Sequence, residues 1–136
     1  MNDTQGEQKN KQSILIVEDE RAIREIYSQK LAEEGFSVYV ADDGISGIAQ
    51  AMQHKPDLIL LDVKMPNMDG FEMLKALRAK GEWGSRVPII FLTNVDSSTG
   101  DAMTAIEETG PAYYIIKSST NPSDIVSKMR EVLGIS

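Results

Sequence analysis

The chain has 136 residues, 41% hydrophobic and 26% charged, with 14 basic against 21 acidic side chains and a formal net charge of -7. That is the length of one domain, able to bury roughly 68–70% of its unfolded surface without a metal or disulfide; the absence of cysteine excludes a disulfide framework, a zinc finger, an iron–sulfur site and a thiol nucleophile. The acidic balance opposes non-specific nucleic-acid binding, no apolar run approaches the roughly 20 residues of a membrane span, and the polar N-terminus lacks the core of a secretory signal, so a soluble cytoplasmic domain is expected.

Residues 1–12 carry four charges that cancel (Asp3, Glu7, Lys9, Lys11) and no large apolar residue after Met1, which predicts a flexible tail and a domain over 13–136. From there short runs rich in Ile, Val and Leu alternate with longer amphipathic stretches. A strand over 14–17 leads to a helix over 21–33, where Ile23, Ile26, Tyr27 and Leu31 recur at helical spacing, with Gly35 behind it. A second strand over 36–41 is followed by Asp43 and a helix over 44–53. The third strand spans 58–61, its helix 70–79, with Gly81 as punctuation. Then come a strand over 88–92, a helix over 97–108, a strand over 113–116 and, opened by Asn121-Pro122, a last helix over 122–133. The apolar runs read as strands buried on both faces. Five strands alternating with five helices predict an α/β fold: a doubly wound parallel sheet with right-handed crossovers.

In such a sheet ligands bind beyond the carboxyl ends of the strands. Those ends carry Glu18-Asp19-Glu20, Asp62, Thr93-Asn94 and Lys117-Ser118. Nucleotide binders place glycines after the first strand so that backbone N–H groups receive phosphate. Here carboxylates stand there instead, and neither G-x-G-x-x-G nor G-x-x-x-x-G-K-[ST] occurs. Two like charges ~4 Å apart repel by about 4 kcal/mol at an effective dielectric of 20. A hard divalent cation relieves this, and few carboxylates with open water positions suit Mg²⁺. Taken singly, an acid after a strand is most often a helix cap or a solvated loop residue, and Asp19 is placed to cap the first helix. The informative feature is the convergence of these groups on one rim.

These residues resemble the receiver domain of two-component response regulators, over about 13–133, through ILIVEDE, LILLDVKMPNMDGFEML, VPIIFLTN and AYYIIKS. The resemblance implies a flavodoxin-like sheet of order 2-1-3-4-5. It implies Asp62 as phosphoacceptor, taking a phosphoryl group from a histidine kinase or phosphotransfer protein. Glu18, Asp19, Asp62 and the backbone carbonyl of Lys64 would hold Mg²⁺, with Asp19 a direct ligand and Glu18 acting through water. Thr93 and Lys117 would bind the phosphoryl group, Thr93 and Tyr114 would form the switch, and Pro66 and Gly70 would shape the loop after Asp62. The downstream protein target is not identified by the sequence.

The chain departs from the family at Asn94, where a small residue is usual, at Lys64 near the pocket mouth, and at Ser118, where proline is usual. A cis bond costs roughly 3–4 kcal/mol before a non-proline residue, against about 0.5–1 before proline, so Lys117–Ser118 is expected trans. The helix over 97–108 offers Asp101, Glu107 and Glu108 but no Lys or Arg, which predicts a monomer or weak pairing through another face. A single-domain phospho-receiver without turnover activity is the leading reading. One alternative is a phosphorylation-independent interaction module. The other, an aspartyl-phosphate hydrolase, resembles D-x-D-x-T, and Lys64 stands where its second Asp would be. Trp83 is expected at the rim opposite the acidic groups.

Overall fold

The computed structural model describes residues 11–93, 112–116 and 121–135. The sheet has five strands: β1 (Ser13–Val17), β2 (Ser37–Ala41), β3 (Leu58–Asp62), β4 (Ile89–Thr93) and β5 (Ala112–Ile116). They pair in parallel in the order β2-β1-β3-β4-β5. The expected α/β architecture and strand order are therefore observed. The helices among the described residues are α1 (Arg21–Glu33), α2 (Gly44–His54), α3 (Gly70–Arg78), α4 (Gly81–Arg86) and α5 (Pro122–Leu133). The helix expected over 97–108, the N-terminal tail up to residue 10 and the Lys117–Ser118 bond lie outside the described residues.

Alternation along the strands builds two cores. Ile14, Ile16, Leu58, Leu60, Ile90 and Leu92 meet Tyr27 and Leu31 of α1 and Ile125, Val126 and Met129 of α5 on one face. Leu15, Val17, Ile59, Leu61, Ile89 and Phe91 meet Ala51 of α2 and Met73, Leu74 and Leu77 of α3 on the other. Parallel strands covered by helices on both faces read as continuous apolar runs for this reason.

The edges behave differently from the expectation of burial on both faces. Val40 of β2 is 43% exposed and Tyr113 of β5 is 38% exposed, because an edge strand has a neighbour on one side only. Tyr39 instead stacks on His54 of α2, with ring centroids 3.9 Å apart. Ile26, assigned by its spacing to the buried stripe of α1, is 55% exposed; Ile23, Tyr27 and Leu31 provide the contact.

Helix ends follow their local chemistry. Asp43 caps α2 through the Ser46 amide. Asp69 with Glu72, and Asn121 with Asp124, form reciprocal capping boxes at α3 and α5. The short α4 adds a helix where only a connection was expected. Gly81 turns the chain with φ +87, and the Arg78 guanidinium donates to the carbonyls of Gly84 and Val87 at 3.0 and 2.8 Å. Burial lowers the Arg78 pKa from its ordinary value.

Candidate functional site

Register brings the strand-end residues to one level. Val17 of β1 pairs with Leu61 of β3, so Glu18 and Asp62 are next-step neighbours although 44 positions separate them in sequence. Asp62 pairs with Leu92, which puts Thr93 one step further along β4. Thr93 pairs with Ile116, the residue before Lys117. The side chains of Thr93 and Tyr114, and all of Lys117, lie outside the described residues.

Carboxylate oxygens of Glu18, Asp19 and Asp62 lie within 4.8 Å of one another. Glu18 and Asp62 are buried, while Asp19 is exposed at the mouth. The backbone holds Glu18 from several directions. Its N–H donates to the Ala41 carbonyl at 3.1 Å, its carbonyl accepts from Arg24 at 2.7 Å, and its Oε2 accepts from the Glu20 N–H at 3.2 Å. Asp19 does not cap α1: the cap position is Glu20, whose side chain makes no capping bond. Capping therefore does not account for Asp19, which stays exposed with a carboxylate oxygen within the cluster. Arg24, which sequence reasoning did not single out, reaches the Glu18 carbonyl; its only signal is a position on the first turns of a helix that follows an acidic strand end.

The loop from β3 to α3 closes tightly. The Gly70 N–H donates to the Val63 carbonyl at 2.8 Å, and the Met68 N–H donates to the Pro66 carbonyl at 2.7 Å. Gly70 must lack a side chain, since a Cβ there would stand 2.4 Å from the Asp62 carbonyl oxygen. Asn67 occupies the left-handed region at φ 69. Met65 and Met68 pack against the α2–α3 core, and Lys64 and Pro66 are exposed. The two expected loop-shaping residues thus sit in the turn that carries Lys64.

A buried carboxylate pair with a third carboxylate at its mouth, at the carboxyl ends of central parallel strands, suits a hard cation and a phosphoryl group. The sequence pattern of the response regulator receiver domain matches residues 14–130. The chain belongs to the receiver domain family.

Individual relatives agree with this. The response regulator MprA of Mycobacterium sp. (strain KMS) is 40% identical over 84 residues, which are 62% of this chain and 35% of the relative. The match thus spans about a third of that protein's length. Chemotaxis protein CheY4 of Vibrio cholerae superposes with a TM-score of 0.81 at 30% identity, over 90% of this chain and 98% of the other. The receiver domain of sensor histidine kinase PA1611 from Pseudomonas aeruginosa PAO1 superposes with a TM-score of 0.78 at 28% identity, over 91% of this chain and 98% of that one. That structure has a magnesium ion coordinated in its active site cleft. Among the described residues of this receiver domain no helix is long and apolar enough to cross a membrane.

Proposed function

We propose that this receiver domain accepts a phosphoryl group on Asp62 from a histidine kinase or phosphotransfer protein, and that the modified form changes its affinity for a downstream protein in the cytoplasm. The observation that carries the reading is the meeting of Glu18, Asp19 and Asp62 within 4.8 Å at the ends of β1 and β3. A carboxylate oxygen of Asp62 attacks phosphorus. The new O–P bond forms as the N–P bond of the donor imidazole breaks, and the imidazole leaves with the electron pair. The product is an acyl phosphate, reactive enough to be hydrolysed later. The donor set fits Mg²⁺, with Asp19, Asp62 and the Lys64 carbonyl as oxygen ligands and Glu18 acting through water. When bound, Mg²⁺ neutralises charge on the phosphoryl oxygens. Lys117 supplies a second positive charge, and the Thr93 hydroxyl donates to a phosphoryl oxygen. Tyr114 follows Thr93 in the switch.

Intact mass after incubation with acetyl phosphate and Mg²⁺ tests the reading. The receiver gains one labile phosphoryl group. Continuous donor turnover indicates a hydrolase, and an unmodified chain indicates an interaction module; either overturns the proposal.

Trp83 gives a second check. It lines a groove of about 450 Å³ with Pro56, Asp57, Arg86 and Pro88, at the amino ends of β3 and β4. The acidic cluster lies at the carboxyl ends of the strands. Trp83 is the only tryptophan, so Mg²⁺ is expected to leave the fluorescence unchanged while it raises the melting temperature. A quench that Asp19→Asn abolishes would overturn the placement of Trp83 away from the ion or show that the two rims communicate.

A further inference from the structure

The connection between β1 and α1 is Glu18-Asp19-Glu20, and it carries two of the three carboxylates of the cluster. Two bonds at Glu18 face the sheet and the connection itself. Its N–H donates to the Ala41 carbonyl at the end of β2, and its Oε2 accepts from the Glu20 N–H. Side-chain caps tie the starts of α2, α3 and α5 through Asp43, Asp69 and Asn121, whereas Glu20 makes no such bond at α1. A side-chain link from α1 to the connection comes instead from Arg24, whose Nη1 donates to the Glu18 carbonyl at 2.7 Å. A charged donor makes this a short and strong hydrogen bond.

Arg24 holds that carbonyl from a firm position. Its own N–H donates to the Glu20 carbonyl at 3.0 Å, the bond that opens α1, so the half-buried side chain folds back over the turn on which it stands. Ile23 packs against the core beside it, and Tyr27, one turn on, is buried there. Arg21, the first residue of α1, instead pairs with Glu25 at 2.9 Å in solvent, where an ion pair contributes little.

We propose that Arg24 is a positioning residue for the metal site: by holding the Glu18 carbonyl against α1 it fixes the turn that presents Glu18 and Asp19 to Asp62. This rests on the reading of the three carboxylates as a Mg²⁺-dependent phosphoryl site. Charge and geometry pull in opposite directions here. A cation beside a metal site repels the ion, so as a charge alone Arg24 weakens Mg²⁺ binding. As a donor it strengthens binding, because a residue that orients the ligands in advance spares the ion that work. The sign of the effect on affinity therefore tells the two roles apart.

Arg24→Met keeps the aliphatic stem and removes both the charge and the donors. It is expected to weaken Mg²⁺ binding about three- to ten-fold by calorimetry, the scale of one lost hydrogen bond. It is also expected to speed exchange of the Glu20 amide in the metal-free protein, read by NMR. Arg24→Lys keeps the charge and a donor on a stem of similar reach, and is expected to stay within about two-fold of wild type because one donor meets the carbonyl. Arg21→Met removes the same charge from the same helix and is expected to bind Mg²⁺ at least as tightly as wild type. Unchanged or tighter binding in Arg24→Met overturns the proposal, since charge is then the larger effect. Equal weakening in Arg21→Met also overturns it, by assigning the loss to a general disturbance of α1. So does equal weakening in Arg24→Lys, because a retained donor would then count for nothing. If the wild type itself takes up neither Mg²⁺ nor phosphoryl, the reading of the site fails instead, and Glu20 exchange decides the positioning role alone. Faster exchange in Arg24→Met, restored in Arg24→Lys, supports it; wild-type exchange in both overturns it.

Discussion

Asp62→Asn is expected to abolish phosphorylation by acetyl phosphate while leaving the metal-free protein at least as stable as wild type. The first part follows from chemistry, because an amide oxygen is a poor nucleophile and cannot form the acyl phosphate. The second follows from electrostatics. Three carboxylates within 4.8 Å repel one another, by about 3–4 kcal/mol per pair at an effective dielectric of 20 and less at the exposed Asp19. Removing one charge relieves part of this in the absence of metal. The sign reverses when Mg²⁺ is added. The wild type is stabilised by mass action, by about 2.7 kcal/mol at a hundred times the dissociation constant, and the variant loses most of that gain. Denaturant titrations in chelator and in excess Mg²⁺ give both numbers. A variant that is labelled as fast as wild type would remove Asp62 from its role. One that is much less stable in chelator would show that Asp62 is held by partners that outweigh the repulsion.

Gly70→Ala is expected to be the most damaging substitution in the loop. Its Cβ would lie 2.4 Å from the Asp62 carbonyl oxygen and 3.1 Å from Val63 Cα, both backbone atoms that cannot swing away. Relief requires moving the acceptor strand end or the start of α3. Such overpacking typically costs about 1–3 kcal/mol. Displacement of the nucleophile by even 1 Å is expected to slow labelling by roughly 10²-fold. Gly84→Ala is the matched control. Its Cβ would approach the Leu77 carbonyl oxygen to 2.2 Å, at the seam of α3 and α4. It should lose comparable stability while the folded fraction is labelled at the wild-type rate. Equal loss of labelling in both variants would mean that the rate simply follows stability. A wild-type rate in Gly70→Ala would mean that the loop adapts without moving Asp62.

The contrast between these two glycines marks what local sequence can and cannot convey. The period of the apolar residues, the capping residues Asp43 and Asn121, and the kind of residue that ends each strand are all properties of neighbouring positions. They were legible because burial on two faces writes Ile, Val and Leu in runs, and because an unsatisfied helix terminus selects Asp or Asn. The residue types of the candidate site were legible for the same reason: Glu18, Asp19 and Asp62 stand directly after apolar runs.

Which of them meet was not a local matter. Glu18 lies beside Asp62 because β1 pairs with β3 as well as with β2. That pairing is settled by how the crossover helices cover the sheet, so the order had to be inferred from resemblance. Exposure of Ile26, Val40 and Tyr113 depends on the ends of the sheet and on which residues of α1 meet the sheet, neither of which a hydrophobic period encodes. The short α4 depends on the half-buried Arg78, whose carbonyl partners lie six and nine residues further on. The close approach of Gly44 to Met68 joins two loops more than 20 positions apart. By itself, then, the sequence determined the elements and the chemistry carried at their ends. The tertiary structure alone decided which ends lie side by side, because strand pairing and helix packing are set by the burial of the whole chain and not by any one segment of it.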